Sequence, residues 1–179
     1  MYSLVLKVGP SVSALVVAHQ LPDFSQRIHA AASAGFRCVE AAWLYDSELQ
    51  ELQSAREAAG VEVVLINTPP GDVMAGDLGL GAVPGREAEF RQGLDMAIKY
   101  AKALDCKRIH LMAGRVPVGS HRTAVAKEME AIFVQNLTYA ADILSKKEQV
   151  LESIKTVGKS VRSELSHIKL YGAEKERKS

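Results

Sequence analysis

The sequence predicts an α/β fold: parallel strands joined by helical crossovers, in about four βα units, with an amphipathic helix behind them. Three observations predict it. Short apolar runs alternate with stretches of helical period at βα spacing, which implies parallel strands rather than hairpins. Helix starts and stops punctuate the alternation, with Asp23 and Ser47 as N-caps and Gly35 and Gly60 as left-handed ends. After Leu144 the alternation ceases, and Val150, Ile154, Val157, Val161, Leu165 and Ile168 recur every three or four residues in a polar setting.

In chain order, Leu4–Val8 and Ala14–Ala18 are competing candidates for a first strand. Asp23 opens a helix, with Gln26 placed for a capping box and Phe24, Ile28, Ala31 and Ala32 on its apolar face. The run 37–43 is a strand interrupted by one acid, Glu40. Ser47 and Gln50 suit a second capping box, ahead of a stripe of Leu49, Leu52, Ala55 and Ala59. The run 61–66 is a buried strand that breaks at Asn67-Thr68-Pro69-Pro70-Gly71-Asp72 into a long loop with glycines at 76, 79, 81 and 85. Strand-to-helix loops usually take about 2–6 residues, and longer ones are commonly functional. Ligands of α/β folds sit where strand C-termini meet such loops. A third helix runs from about Arg86 to Leu104, a strand from Cys106 to Met112, and a fourth helix follows the polar loop Arg115–His121. Val125, Met129, Ile132, Phe133, Leu137, Ala140 and Leu144 form the stripe of that helix.

The chain has 179 residues, 47% of them hydrophobic, and a formal net charge of +1, enough for one domain with a core. That balance gives no reason to expect nucleic acid, and no apolar run is long enough for a membrane helix. Lys7 interrupts the apolar first twenty residues, which makes a poor signal peptide. Cys38 and Cys106 sit in apolar segments without metal or redox spacing, which fits buried thiols and a reducing, cytoplasmic setting. From Lys146 onward nine Lys or Arg stand against five Glu, so residues 146–179 read as a basic tail distinct from 1–145.

Several stretches resemble one family. These are Val39-Glu40-Ala41-Ala42-Trp43-Leu44-Tyr45, Leu65 through Asp72, Gly79 through Arg86, and the run from Tyr100 to Pro117. They are similar to segments of the hydroxypyruvate isomerase family, a branch of the xylose-isomerase-like (β/α)8 barrels, over about Phe24 to Leu144. The resemblance implies a partial (β/α)8 TIM barrel as the fold. It also implies interconversion of hydroxypyruvate and 2-hydroxy-3-oxopropanoate through an enediol, with a small hydroxy- or keto-acid as the partner. The family uses two glutamates, on the fifth and eighth strands, and the superfamily adds a divalent metal, Mg or Mn, as Lewis acid. Glu152 in Val150-Leu151-Glu152-Ser153-Ile154 is the candidate for the first glutamate, although its helical spacing also fits an exposed acid. The second has no counterpart.

Six further residues stand out, each with an ordinary alternative. Glu40 lines the ligand side of its strand or pairs with Lys107 or Arg108, since a buried charge must be compensated. Trp43 and Tyr45 wall a small pocket or pack under a loop. Asn67 places an amide at the pocket mouth or forms the turn before Pro69. Arg86 opens a helix, a poor place for a cation, and either grips a substrate carboxylate or lies in solvent. His110 joins Glu40 in a metal or proton-transfer site, or is a core histidine bonded to a backbone carbonyl. The loop glycines lack phosphate-cradle spacing. The sequence therefore supports two expectations: an isomerase, or a truncated, catalytically inactive isoform acting, if at all, through self-association at the open edges of a half barrel or through partner binding.

Overall fold

The computed structural model describes residue 21 and residues 23–146. Both first-strand candidates, Glu152 and the basic tail lie outside the described residues. The order is α1 (Phe24–Ser33), β1 (Cys38–Ala41), α2 (Leu49–Ala59), β2 (Glu62–Asn67), α3 (Glu87–Ala103), β3 (Ile109–His110) and α4 (Arg122–Lys146). The three strands form a parallel sheet in the order β1-β2-β3, each crossover made by a helix. This is the α/β repeat that the alternation of apolar runs requires, arranged as part of a barrel wall.

Helical periodicity places the core. Phe24, Ile28 and Ala31 of α1, Leu52 and Ala55 of α2, and Ala97 and Ala101 of α3 are buried against Val39, Ala41, Val63 and Ile66 of the sheet. A second, smaller cluster joins Leu94 and Ile98 of α3 to Ala140 and Leu144 of α4. Arg91 of α3 adds a cation–π contact over the Tyr139 ring, 4.6 Å from its centroid.

Three helices end in the same way. The residue after the last turn takes a positive φ, and two reverse hydrogen bonds satisfy the last carbonyls. Gly35 does this after α1, with Phe36 N donating to Ala31 O over 3.0 Å. Gly60 does it after α2. After α3 the position falls to Asp105 (φ 51), and Cys106 N donates to Ala101 O over 2.8 Å.

The structure corrects the expected elements in three places. Ser47 does not cap α2: Glu48 is the N-cap, and Ser47 Oγ accepts the N–H of Phe24 at 3.4 Å, tying the two helix starts together. At α1, Asp23 is the N-cap, but its carboxylate accepts from Gln26 Nε2 instead of capping a backbone N–H. The strand expected over 106–112 shrinks to two residues. Cys106 belongs to the end of α3, and beyond His110 the N–H of Met112 is taken by Thr68 Oγ1 at 3.0 Å, which turns the chain off the ladder.

Candidate functional site

The C-terminal ends of β1, β2 and β3 lie side by side, and most of the candidate residues lie at or near them. In β1, Val39 and Ala41 are buried against the helices, so Glu40 between them points to the opposite face. A register shift then decides what β2 presents. Val39 pairs with Val63, but Glu40 pairs with Leu65, which leaves Val64 unmatched. Strict alternation from Val63 would turn Asn67 toward the helices. The bulge puts Ile66 on the core side instead, and Asn67 on the face of Leu65 and Glu40. Periodicity alone gave no sign of it.

Asn67 pairs with His110 across β2 and β3, and its Oδ1 lies 3.2 Å from His110 Nδ1. An amide oxygen only accepts, so Nδ1 carries the proton and Nε2 presents a lone pair. The residue is exposed at its outer edge, but desolvation of the imidazole against the strand ends lowers its pKa from the usual value, the direction that favours the neutral ring. The expected alternative, a core histidine bonded to a backbone carbonyl, is not what the structure shows.

Glu40 makes no hydrogen bond or ion pair among the described residues. Lys107 bonds Asp105, and Arg108 Nη1 reaches Val64 O at 3.4 Å, so neither neutralises it. Half-burial raises the Glu40 carboxyl above its ordinary pKa of 4.5. Trp43 lies two residues past β1, 40% exposed, with a φ of 44°. For a bulky side chain that backbone is an outlier of the kind that clusters at ligand sites.

Arg86 lies elsewhere. Its Nε donates to Glu89 Oε2 at 2.6 Å, and one terminal nitrogen reaches Glu89 Oε1 at 2.8 Å and Asp77 Oδ2 at 3.1 Å. The two acids engage the guanidinium and resolve the poor placement of a cation at the start of α3. They also make Arg86 a clasp on the long loop rather than a free grip for an anion.

That loop is docked, not open. Gly79 N donates to Pro70 O, and Gly81 N and Ala82 N donate to Met112 O and Ala113 O at 2.9 and 2.6 Å. Leu80 and Ala82 are buried, while Val73 and Met74 at the tip are exposed. Asn136 of α4, 1% exposed, donates to Gly81 O at 2.9 Å. The expected apolar stripe of α4 is present, but the polar Asn136 is buried as deeply as Ala140, a choice made by the loop carbonyl it meets. A hollow of about 200 Å3 between loop and α3 is lined by Thr68, Pro69, Leu80 and Phe90 among others, and its lining does not include Glu40, Trp43, Asn67 or His110.

Among the described residues no group of three or more His, Cys, Asp or Glu side chains could hold a metal ion. The residues described here therefore do not by themselves fit the Mg or Mn that the resemblance would add. Also among them, no helix is long and apolar enough to cross a membrane.

Comparison with known proteins adds the following. Residues 28–168 match the family model described as Xylose isomerase-like TIM barrel. The "Putative hydroxypyruvate isomerase" of Danio rerio is 69% identical over 127 residues, 71% of this chain and 46% of that protein. The hydroxypyruvate isomerase of Escherichia coli (strain K12) is 40% identical over 129 residues, 72% of this chain and 48% of its own length. The crystal structure of an AP endonuclease, family 2, from Brucella melitensis superposes with a TM-score of 0.64 at 38% identity, covering 73% of this chain and 49% of that one. The chain spans about half the length of the relatives it matches.

Proposed function

Because this chain belongs to the xylose isomerase-like TIM barrel family, we propose that its strand ends form part of the substrate site of an aldose–ketose isomerase acting on hydroxypyruvate. The observation that carries this reading is the Asn67–His110 pair, held on the same face of the sheet as Glu40, whose carboxyl has no ion-pair partner among the described residues. In the reaction a proton leaves C3 of hydroxypyruvate to give an enediol and returns at C2. The C2 ketone becomes an alcohol and the C3 alcohol an aldehyde, with no net gain or loss of atoms. A neutral His110 with its Nε2 lone pair turned outward accepts a hydrogen bond from a substrate hydroxyl. The amide nitrogen of Asn67 donates to a substrate oxygen, and Glu40 presents a carboxyl whose proton is held above the ordinary range. Trp43 closes one side of the site. No step is routed through a metal, and base and acid on opposite sides of the reacting carbons are not assigned to the described residues.

Binding is the discriminating measurement, because it reads the strand ends directly. Trp43 is the sole tryptophan, so its fluorescence reports on the site. A titration with hydroxypyruvate is expected to give a saturable change, weakened at least tenfold in His110→Ala, with Arg86→Met binding as the parent does. A response that never saturates, or that His110→Ala leaves unchanged, overturns the assignment. Isomerisation assayed in parallel, with and without Mg or Mn, tests the reaction itself.

A further inference from the structure

The end of β2 is held from both flanks. On the β3 side Thr68 N donates to His110 O at 2.9 Å, and Thr68 Oγ1 accepts from Met112 N. On the β1 side the ladder stops at the pair Ala41–Ile66, so the next carbonyl, that of Asn67, has no strand partner there. The Tyr45 hydroxyl donates to it. Tyr45 is itself fixed: its ring meets Tyr100 edge to face at 5.1 Å, and Tyr100 Oη donates to Ser47 O at 3.2 Å. Ser47 Oγ in turn accepts the Phe24 N–H. The ring contact keeps Tyr45 in place, and its hydroxyl alone ties the segment before α2 to the backbone of Asn67, whose side-chain oxygen meets His110 Nδ1.

We propose that Tyr45 is a positioning residue for the candidate site, holding the Asn67 backbone so that its side chain keeps His110 in the Nδ1–H form with Nε2 free. This rests on the functional reading above for the ligand, but not for the geometry. With the hydroxyl removed, the Asn67 carbonyl is left half-buried without its partner, and the strand end relaxes toward solvent. The amide then no longer dictates which imidazole nitrogen carries the proton.

The test compares Tyr45→Phe with Tyr100→Phe in the full chain. Both keep the aromatic pair, and each removes one hydroxyl-to-carbonyl bond. Nitrogen-15 NMR of the imidazoles, without ligand, reads the His110 tautomer and pKa. Tyr45→Phe is expected to mix the two tautomers and bring the His110 pKa back toward about 6.5, whereas Tyr100→Phe leaves both unchanged. In the Trp43 titration, hydroxypyruvate binding weakens about fivefold to tenfold in Tyr45→Phe only. An unmoved His110 in Tyr45→Phe, or an equal movement in Tyr100→Phe, overturns the proposal. If the parent chain gives no saturable titration, the hydroxypyruvate reading fails while the imidazole comparison still decides the role of Tyr45.

Discussion

Glu40 and His110 carry opposite electrostatic consequences for the folded chain. Burial raises the Glu40 carboxyl, so the native state keeps a proton that the unfolded chain releases near pH 4.5. The associated stability is present below that pH and lost as pH rises through the folded value. Glu40→Gln is therefore expected to raise Tm at pH 7 by a few degrees and to have no effect near pH 4, measured by thermal melts across that range. His110 runs the other way. Its pKa is depressed, so the unfolded chain takes up the proton first, and stability falls as pH drops below about 6.5. Both residues were legible as candidates because a charge or an imidazole interrupts an apolar strand. Which face each one meets was not, since a strand sequence has two faces, and for Asn67 the unmatched Val64 also shifts the count. Tyr45 read as a pocket wall or as packing under a loop; its hydroxyl acquires a role only from where β1 stops.

Turn geometry dominates at the scale of elements. Asp105 occupies a left-handed position that Gly35 and Gly60 fill without steric cost at the other two helix ends. Asp105→Gly is expected to raise Tm slightly, offset by the loss of its contact with Lys107, as a differential scan would show. Gly79 is the reverse case. Its φ is 103°, and a Cβ there would lie 2.4 Å from Met112 Cβ, so the long loop cannot dock with any side chain at this position. Gly79→Ala is expected to destabilise by about 1–3 kcal/mol. It should also expose the loop to limited proteolysis, read as new cleavage near Val73 and Met74. The length of that loop and its glycines marked it out in the sequence. That it seats on residues 111–114 did not show, because its contacts are backbone to backbone and leave no residue pattern.

For the described molecule, α3 is the element shared by both clusters, facing the sheet with Ala97 and Ala101 and α4 with Leu94 and Ile98. Among the α4 residues whose burial is described, only Ile132, Asn136, Ala140 and Leu144 are buried. Regions with few buried apolar contacts open first. Hydrogen exchange followed by mass spectrometry is expected to show α4 exchanging well before α1, β2 and α3, and Leu94→Ala to widen that gap. Equal protection across α3 and α4 would mean that the two clusters behave as one.

By itself, the sequence determined the βα alternation, the helical stripes, the left-handed glycines and the family likeness. All of these follow from local periodicity and from short-range backbone sterics. Tertiary structure alone decided which face Asn67 takes, that Arg86 clasps Asp77 and Glu89, that Asn136 meets Gly81, and that the Tyr45 hydroxyl completes a ladder β1 leaves unfinished. Each depends on a register or an approach between segments distant in the chain, and hydrogen bonds of that kind are set by geometry that no single segment encodes.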